Sequence, residues 1–159
     1  IEGRRRVHAL GLWHCAVHVW LYDSQGRVYV QRRGAGKDIN AGCWDVSVGE
    51  HLQPGETYPE AARRGLQEEL RVIDAIPNAV GGVRRVCLDR PDQGIHDHEL
   101  QRAFHAVHPG PMQPDPKELA ELRLVTRAEL RAWLAADPEA FTPGCRNDLA
   151  VLGLLGDGG

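Results

Sequence analysis

The sequence predicts an α/β sandwich built on a mixed sheet. Three observations predict it: an alternating apolar hairpin near the start, two helices announced by capping signatures, and further β-rich runs between them. The chain has 159 residues, enough for one core of ordinary size and too few for two comfortable domains.

The elements follow in order. Residues 14–21 (HCAVHVWL) are rich in β-formers, and Asp23-Ser24-Gln25-Gly26 supplies turn chemistry. Residues 27–32 alternate, with Val28 and Val30 on one face, so the two runs read as an antiparallel hairpin. A Gly-rich loop spans 33–43, a short strand runs from Trp44 to Val48, and a turn around Pro54-Gly55 ends at Glu56. Thr57-x-x-Glu60 is a capping box that starts a helix; Pro59 is tolerated in its first turn, and Ala62, Leu66 and Leu70 form its apolar stripe. Residues 79–88 and 99–107 read as strands around a polar loop, 89–98. After a Pro-rich connection come a strand at 121–125, a helix capped by Thr126-x-x-Glu129 and running to Ala136, and a helical piece from Asn147 to Leu155. The Gly-rich tail should fray. Trp13, Trp20, Trp44 and Phe104 are expected in the core.

Composition narrows the classes. Apolar residues make up 42% and aromatics 6%, so Val, Leu and Ala must build most of the core. No apolar run approaches the roughly 18 residues of a spanning helix. The net charge is −3 and no basic stripe stands out, which argues against a nucleic-acid polymer as partner. Ile1-Glu2-Gly3-Arg4 spells a protease cleavage sequence and reads as an expression-tag remnant, leaving one domain at 5–159. No apolar stretch follows the basic residues near the N-terminus, so a secretory leader is not expected. Cys15, Cys43, Cys87 and Cys145 are far apart, with no C-x-x-C; four reduced thiols and a cytoplasmic location are expected.

The chemistry concentrates between Gly49 and Val72. Glu60, Arg64 and Glu68 recur every four residues, and at about 100° per residue they share one helical stripe, with Glu69 beside it. Alone, such a stripe is a solvated charged face. A Gly55-Glu56 turn leading into it makes it a candidate site, because Mg²⁺ takes hard oxygen ligands and completes its shell with water and substrate phosphates. The metal neutralises phosphate charge and lowers the pKa of bound water.

These residues resemble the Nudix family, whose box reads G-x5-E-x7-R-E-U-x-E-E-x-G-U, with U apolar. Glu56 falls on the first Glu, Arg64 on the Arg, Glu68-Glu69 on the paired acids, and Leu66 and Val72 on apolar places. Three places depart: Glu50 stands for the first Gly, Gly65 for the Glu after Arg, and Arg71 for the last Gly. The resemblance implies a Nudix-type α/β/α sandwich with Mg²⁺ (or Mn²⁺) held by Glu56, Glu68 and Glu69, and Arg64 orienting the carboxylates. Glu50 is the candidate to replace the acid missing at Gly65.

A longer run, His14-x3-His18-x-Trp20, Gln31-Arg32-Arg33, Lys37, Trp44-Asp45-x-Ser47-Val48-x-x-His51, resembles the Nudix branch related to isopentenyl diphosphate isomerase. That resemblance implies metal-binding places at His14, His51 and Asp97-x-Glu99. It also implies a catalytic Cys where this chain has Gly49, so isomerase activity is not expected. Arg33, Lys37 and His51 are candidate substrate contacts, and Glu99 is the candidate general base.

The expected activity is metal-dependent hydrolysis of a phosphoanhydride bond, with Arg64, Glu68 and Glu99 catalytic. The expected substrate is a nucleoside di- or triphosphate or a related nucleoside diphosphate derivative. The alternatives are an isomerase-like enzyme and a nucleotide-binding module with an impaired box.

Overall fold

A computed structural model of the chain describes residues 4–154 other than residue 38. Of the expected tag remnant, residues 1–3 lie outside the described residues and Arg4 opens a helix; the expected frayed tail also lies outside them. The elements are α1 (Arg4–Ala9), β1 (His14–Tyr22), β2 (Val28–Arg33), β3 (Trp44–Asp45), β4 (Val48–His51), α2 (Tyr58–Leu70), β5 (Asn78–Arg90), β6 (Ile95–Val107), β7 (Leu119–Val125), α3 (Arg127–Ala136) and α4 (Pro143–Val151).

The sheet is mixed, as expected. Its order is β3-β2-β1-β6-β5, with β4 also pairing β1 and β7 pairing β2. β1 and β6 run parallel, in register from His14↔Glu99 to Tyr22↔Val107, and every other pair is antiparallel. Along β1 the partner changes: Tyr22 pairs with Val28 of β2, while Ala16 to Val19 pair with β4. The sheet therefore splits beside β1, and the split places the ends of β1, β4 and β6 around one cavity.

Alternation along β1 sends side chains to both faces. Val17, Val19 and Leu21 join Ala62, Leu66 and Leu70 of α2 in one core, while Trp20 and Tyr22 join Leu130, Phe141 and Leu149 in a second under α3 and α4. Two cores on two faces of one sheet make the α/β/α sandwich. Burying each Leu on α2 contributes about 1.5–3 kcal/mol, enough to outweigh the ~1 kcal/mol cost of Gly65 in that helix.

Four details differ from the sequence reading. The polar stretch 89–98 is a hairpin: β5 extends to Arg90, a tight turn ends at Gly94 in the left-handed region (φ 65°), and β6 starts at Ile95. Cross-strand pairs such as Asp89↔His96 carry its polar residues, so apolar alternation was no guide. The strand expected at 44–48 is two short strands, β3 and β4. The last helix starts earlier, at Pro143, capped by Thr142, and ends at Val151. Trp13 is not in the core; it is 44% exposed and packs on Arg85 and His98. The other three expected aromatics are buried. Among the described residues, no helix is long and apolar enough to cross a membrane.

Candidate functional site

The turn and helix start place Arg64 at the centre of the acidic cluster. Its Nε donates to Glu56 (2.8 Å), its NH1 to Glu50 (3.2 Å) and Glu68 (3.1 Å), and its NH2 to Glu56 (3.1 Å) and the His51 carbonyl (2.8 Å). The planar fork suits such multiple acceptors. Both oxygens of Glu56 accept from Arg64, and one also accepts from the Gln53 N–H (2.8 Å), so the Glu56 carboxyl is held below the usual carboxylate range. Glu50 and Glu68 each engage Arg64 through one oxygen.

Glu60, grouped with the stripe by periodicity, is spent elsewhere. It accepts from the Thr57 N–H and hydroxyl in the capping box. Glu68 and Glu69 diverge: the Glu68 side chain is 54% exposed, while Glu69 is 3% exposed and accepts from Gln31 (3.1 Å). Burial, and then the charge of Glu50, push the Glu69 carboxyl up to about 8, with Gln31 and Lys37 working the other way. The nearness of Glu50 to Glu69 places a second acid beside the buried one.

Gly65 is small because β4 occupies its space. A Cβ there would stand 2.6 Å from Val48 Cγ1 and 2.9 Å from Glu50 Cγ. A side chain at position 65 would therefore have to displace Val48 or Glu50. Glu50, arriving from the strand, brings its carboxylate to Arg64 instead.

The second cluster lies across the cavity. His8 of α1, His14 at the head of β1, His51 at the end of β4, and Asp97 and Glu99 of β6 converge. Ring centroids of His14 and His51 are 4.3 Å apart, and His8 lies 5.3 and 5.4 Å from them. His14 Nε2 is 3.4 Å from Asp97 and 3.7 Å from Glu99; His51 Nε2 is 3.8 Å from Glu99; His8 Nε2 is 3.7 Å from Asp97. In each of two trios, His8–His14–His51 and His14–Asp97–Glu99, the ligating atoms lie within 4.8 Å of one another.

The donor set fits a divalent cation. His14 Nδ1–H donates to the Leu12 carbonyl (3.0 Å), which fixes the tautomer and turns Nε2 toward the acids, where it is buried and makes no hydrogen bond. Burial opposes ionisation of Glu99, yet the His14 ring beside it (3.7 Å) and the charges of His18 and His51 hold its carboxyl down at about 2.

A third set of residues shares this cavity. His18 Nδ1–H donates to Asp148 (2.8 Å), whose carboxylate is fully buried and also accepts from Trp20 Nε1 (3.1 Å) and from Arg84. Arg84 further donates to Gln101 Oε1 (2.8 Å), and Gln101 Nε2 donates to Glu99 (2.9 Å) and sits 3.2 Å from His18 Nε2. Burial works against a charged ring, but the charge and hydrogen bond of Asp148, then Glu99 and Asp45, raise His18 to about 9. Arg84 reaches this network because the Gly81-Gly82 irregularity in β5 shifts its register against β6.

The predicted substrate contacts part company. Arg33 and His51 line the cavity, and Arg33 donates to Asp45 (3.1 Å) and the Ile39 carbonyl (3.1 Å). Lys37 does not line it and pairs with Glu118. Glu99, expected both as a general base and, by resemblance, as part of a metal-binding pair, stands inside the histidine cluster. All four cysteines are free, and none lines the cavity; Gly49 does.

The sequence reading missed His8, which sits on a six-residue helix with no capping signal. It listed His18 in a motif without giving it a role, and it could not join His18 to Asp148 across 130 residues. The Gly81-Gly82 pair within a strand was the signal that could have marked the irregularity that brings in Arg84.

Comparison with known proteins gives these arrangements a context. The NUDIX domain model matches residues 12–145. An isopentenyl-diphosphate Delta-isomerase of Streptomyces avermitilis is 37% identical over 128 residues, covering 80% of this chain and 64% of that protein. The chain thus spans less than two thirds of that relative's length. Isopentenyl-diphosphate Delta-isomerase 1 of Aromatoleum aromaticum is 32% identical over 142 residues, covering 89% of this chain and 78% of that protein. The crystal structure of a MutT NUDIX hydrolase from Burkholderia pseudomallei superposes with a TM-score of 0.65 at 18% identity, covering 87% of this chain and 96% of that one, which shows the shared fold.

Proposed function

The chain belongs to the NUDIX domain family, and from that premise we propose that it is a divalent-metal-dependent hydrolase of phosphoanhydride bonds. The observation that carries the reading is the cavity itself: three imidazoles and two carboxylates that could hold a cation converge there, with Gly49 and no cysteine on the wall. The isomerase relatives favour a second reading, an isomerase-like enzyme on a prenyl diphosphate. That reaction moves a proton on carbon, and a glycine supplies no thiol to move it.

The two clusters suit different ions. The mixed set pairs imidazoles, which suit Zn²⁺, with carboxylates, which suit Mn²⁺, whereas the all-carboxylate cluster suits Mg²⁺. His8, His14, His51, Asp97 and Glu99 would hold the first; Glu69 with Glu50 and Glu68 would hold the second. Because both Glu56 oxygens are taken by Arg64, Glu56 serves as the anchor of that Arg. Bound metal supplies neutralisation of phosphate charge. The chain's own residues do the rest. Arg64 ties the carboxylate cluster to the His51 carbonyl, so both clusters share one rigid support. Arg33 offers a guanidinium to an anionic group in the cavity. Ala16, Val17 and Leu88 give the cavity an apolar part of its lining.

The substrate proposed is a nucleoside di- or triphosphate or a related nucleoside diphosphate derivative. The test is phosphate and pyrophosphate release from a panel of these and prenyl diphosphates, with Mg²⁺, Mn²⁺ or EDTA. Metal-dependent release from a nucleoside class supports the reading. No release at high protein concentration would sink it and leave a nucleotide-binding module.

A further inference from the structure

We propose that Gln101 is the positioning residue of the histidine–carboxylate site: it holds one oxygen of Glu99 so that the other is left to ligate the cation. This rests on the cation-site reading above and gives a role to the buried network beside that site.

Gln101 follows Asp97 and Glu99 on one face of β6, since side chains two apart along a strand share a face. It is fully buried, so its polar atoms need partners. Arg84 NH2 donates to its Oε1 (2.8 Å), and its Nε2 donates to Glu99 Oε2 (2.9 Å). A guanidinium only donates and a carboxylate only accepts, so the amide cannot turn over. The second amide hydrogen faces His18 Nε2 at 3.2 Å, an acceptor in the neutral ring whose Nδ1–H is given to Asp148. Arg84 is itself anchored, because the same NH2 also meets the fully buried carboxylate of Asp148.

The carboxylate of Glu99 is thereby divided. Oε2 is taken by Gln101, while Oε1 lies 3.7 Å from His14 Nε2 and 3.8 Å from His51 Nε2. One oxygen is committed to the protein and the other faces the imidazoles. Glu99 would therefore ligate through Oε1 alone.

The group that holds Glu99 is also neutral, and the strand register makes it so. Asn78 to Val80 pair with His105 to Ala103, and were that register to continue along β5, Arg84 would stand opposite Glu99. The irregularity between Val80 and Arg84 carries Arg84 on to stand opposite Gln101. A guanidinium set against Glu99 would offset the negative charge that attracts a cation. An amide between the two fixes the carboxylate and leaves its charge in place.

Gln101 touches neither cation nor substrate, so its effect must pass through Glu99. The test measures Zn²⁺ affinity of the full chain by competition with a chelating dye, with Mg²⁺ in excess to fill the carboxylate cluster. Gln101→Met, similar in length and without a donor, is expected to weaken Zn²⁺ binding about tenfold. Glu99→Gln is expected to weaken it as well. Gln101→Met added to Glu99→Gln is expected to change the affinity by less than about twofold, the signature of a residue acting through another. Melting curves of the metal-free proteins check the fold. Gln101→Asn, which keeps the amide but is shorter by one methylene, takes the place of Gln101→Met if that variant does not fold. Wild-type Zn²⁺ affinity in the Gln101 variant, or losses that add in the double variant, would overturn the role of Gln101 and leave the cation site standing. No Zn²⁺ binding by wild type would overturn the cation site and this proposal with it.

Discussion

Glu50 occupies the space that a side chain at Gly65 would need: its Cγ lies 2.9 Å from where that Cβ would stand, and its carboxylate accepts from Arg64 (3.2 Å). The helix has given up an acid and the neighbouring strand has supplied one. The pair explains why α2 tolerates a glycine in its middle, where helix propensity alone disfavours it.

Substituting that glycine should therefore harm the fold. Ala at 65 gains about 1 kcal/mol of helix propensity but presses on the fully buried Val48, and overpacking typically costs about 1–3 kcal/mol. Gly65→Ala is expected to be destabilising by urea denaturation, and Gly65→Glu more so, with no gain in activity. A more stable Gly65→Ala would show that β4 yields freely.

Arg71 ends α2 in the left-handed region, with φ 58° and ψ 29°, and its N–H donates to the Gln67 carbonyl (3.1 Å). A non-glycine residue there carries strain of roughly 1 kcal/mol. Its ion pair with Asp115, at 3.7 Å on an exposed side chain, returns little. Arg71→Gly is expected to raise stability by about 1 kcal/mol, read from the denaturation midpoint.

The raised Glu69 carboxyl gives a pH signature in metal-free protein. Its folded pKa, about 8, lies above the ordinary value of 4.5, so the folded state holds the proton longer than the unfolded state. Stability contributed by this group is present below the ordinary value and is lost as pH rises through about 8. With EDTA, Glu69→Gln should melt higher than wild type at alkaline pH and gain nothing in acid. Adding Mg²⁺ should stabilise wild type and leave the variant unmoved; equal stabilisation of both would remove Glu69 from the metal site.

The histidine cluster predicts its own loss. His14→Ala removes the one nitrogen shared by both trios. Zn²⁺ or Mn²⁺ affinity, measured by competition with a chelating dye, should fall by at least about 100-fold, with the far-UV spectrum unchanged. Wild-type affinity in His14→Ala would exclude this cluster as the cation site.

Much of this was legible in the sequence, for definite reasons. The strands of the hairpin and the helix after Thr57 announce themselves through alternation and a capping box, both local signals. His14, His51, Asp97 and Glu99 were legible only by resemblance, since a histidine in an apolar strand looks like any core residue. His8 was hidden because a six-residue helix cannot stand alone; packing on β6 and neighbouring side chains holds it. The partnership of His18 with Asp148 and the fit of Glu50 to Gly65 are properties of the folded sheet, and no local pattern encodes either.

The most direct measurement follows isopentenyl diphosphate and a nucleoside diphosphate side by side in D₂O, with Mn²⁺ and Mg²⁺, by ³¹P and ¹H NMR. The account predicts metal-dependent appearance of monophosphate and inorganic phosphate from the nucleoside diphosphate, and no deuterium entering the prenyl chain. Deuterated dimethylallyl diphosphate forming without phosphate release would contradict it, and would mean that this cavity moves protons on carbon without a thiol at Gly49.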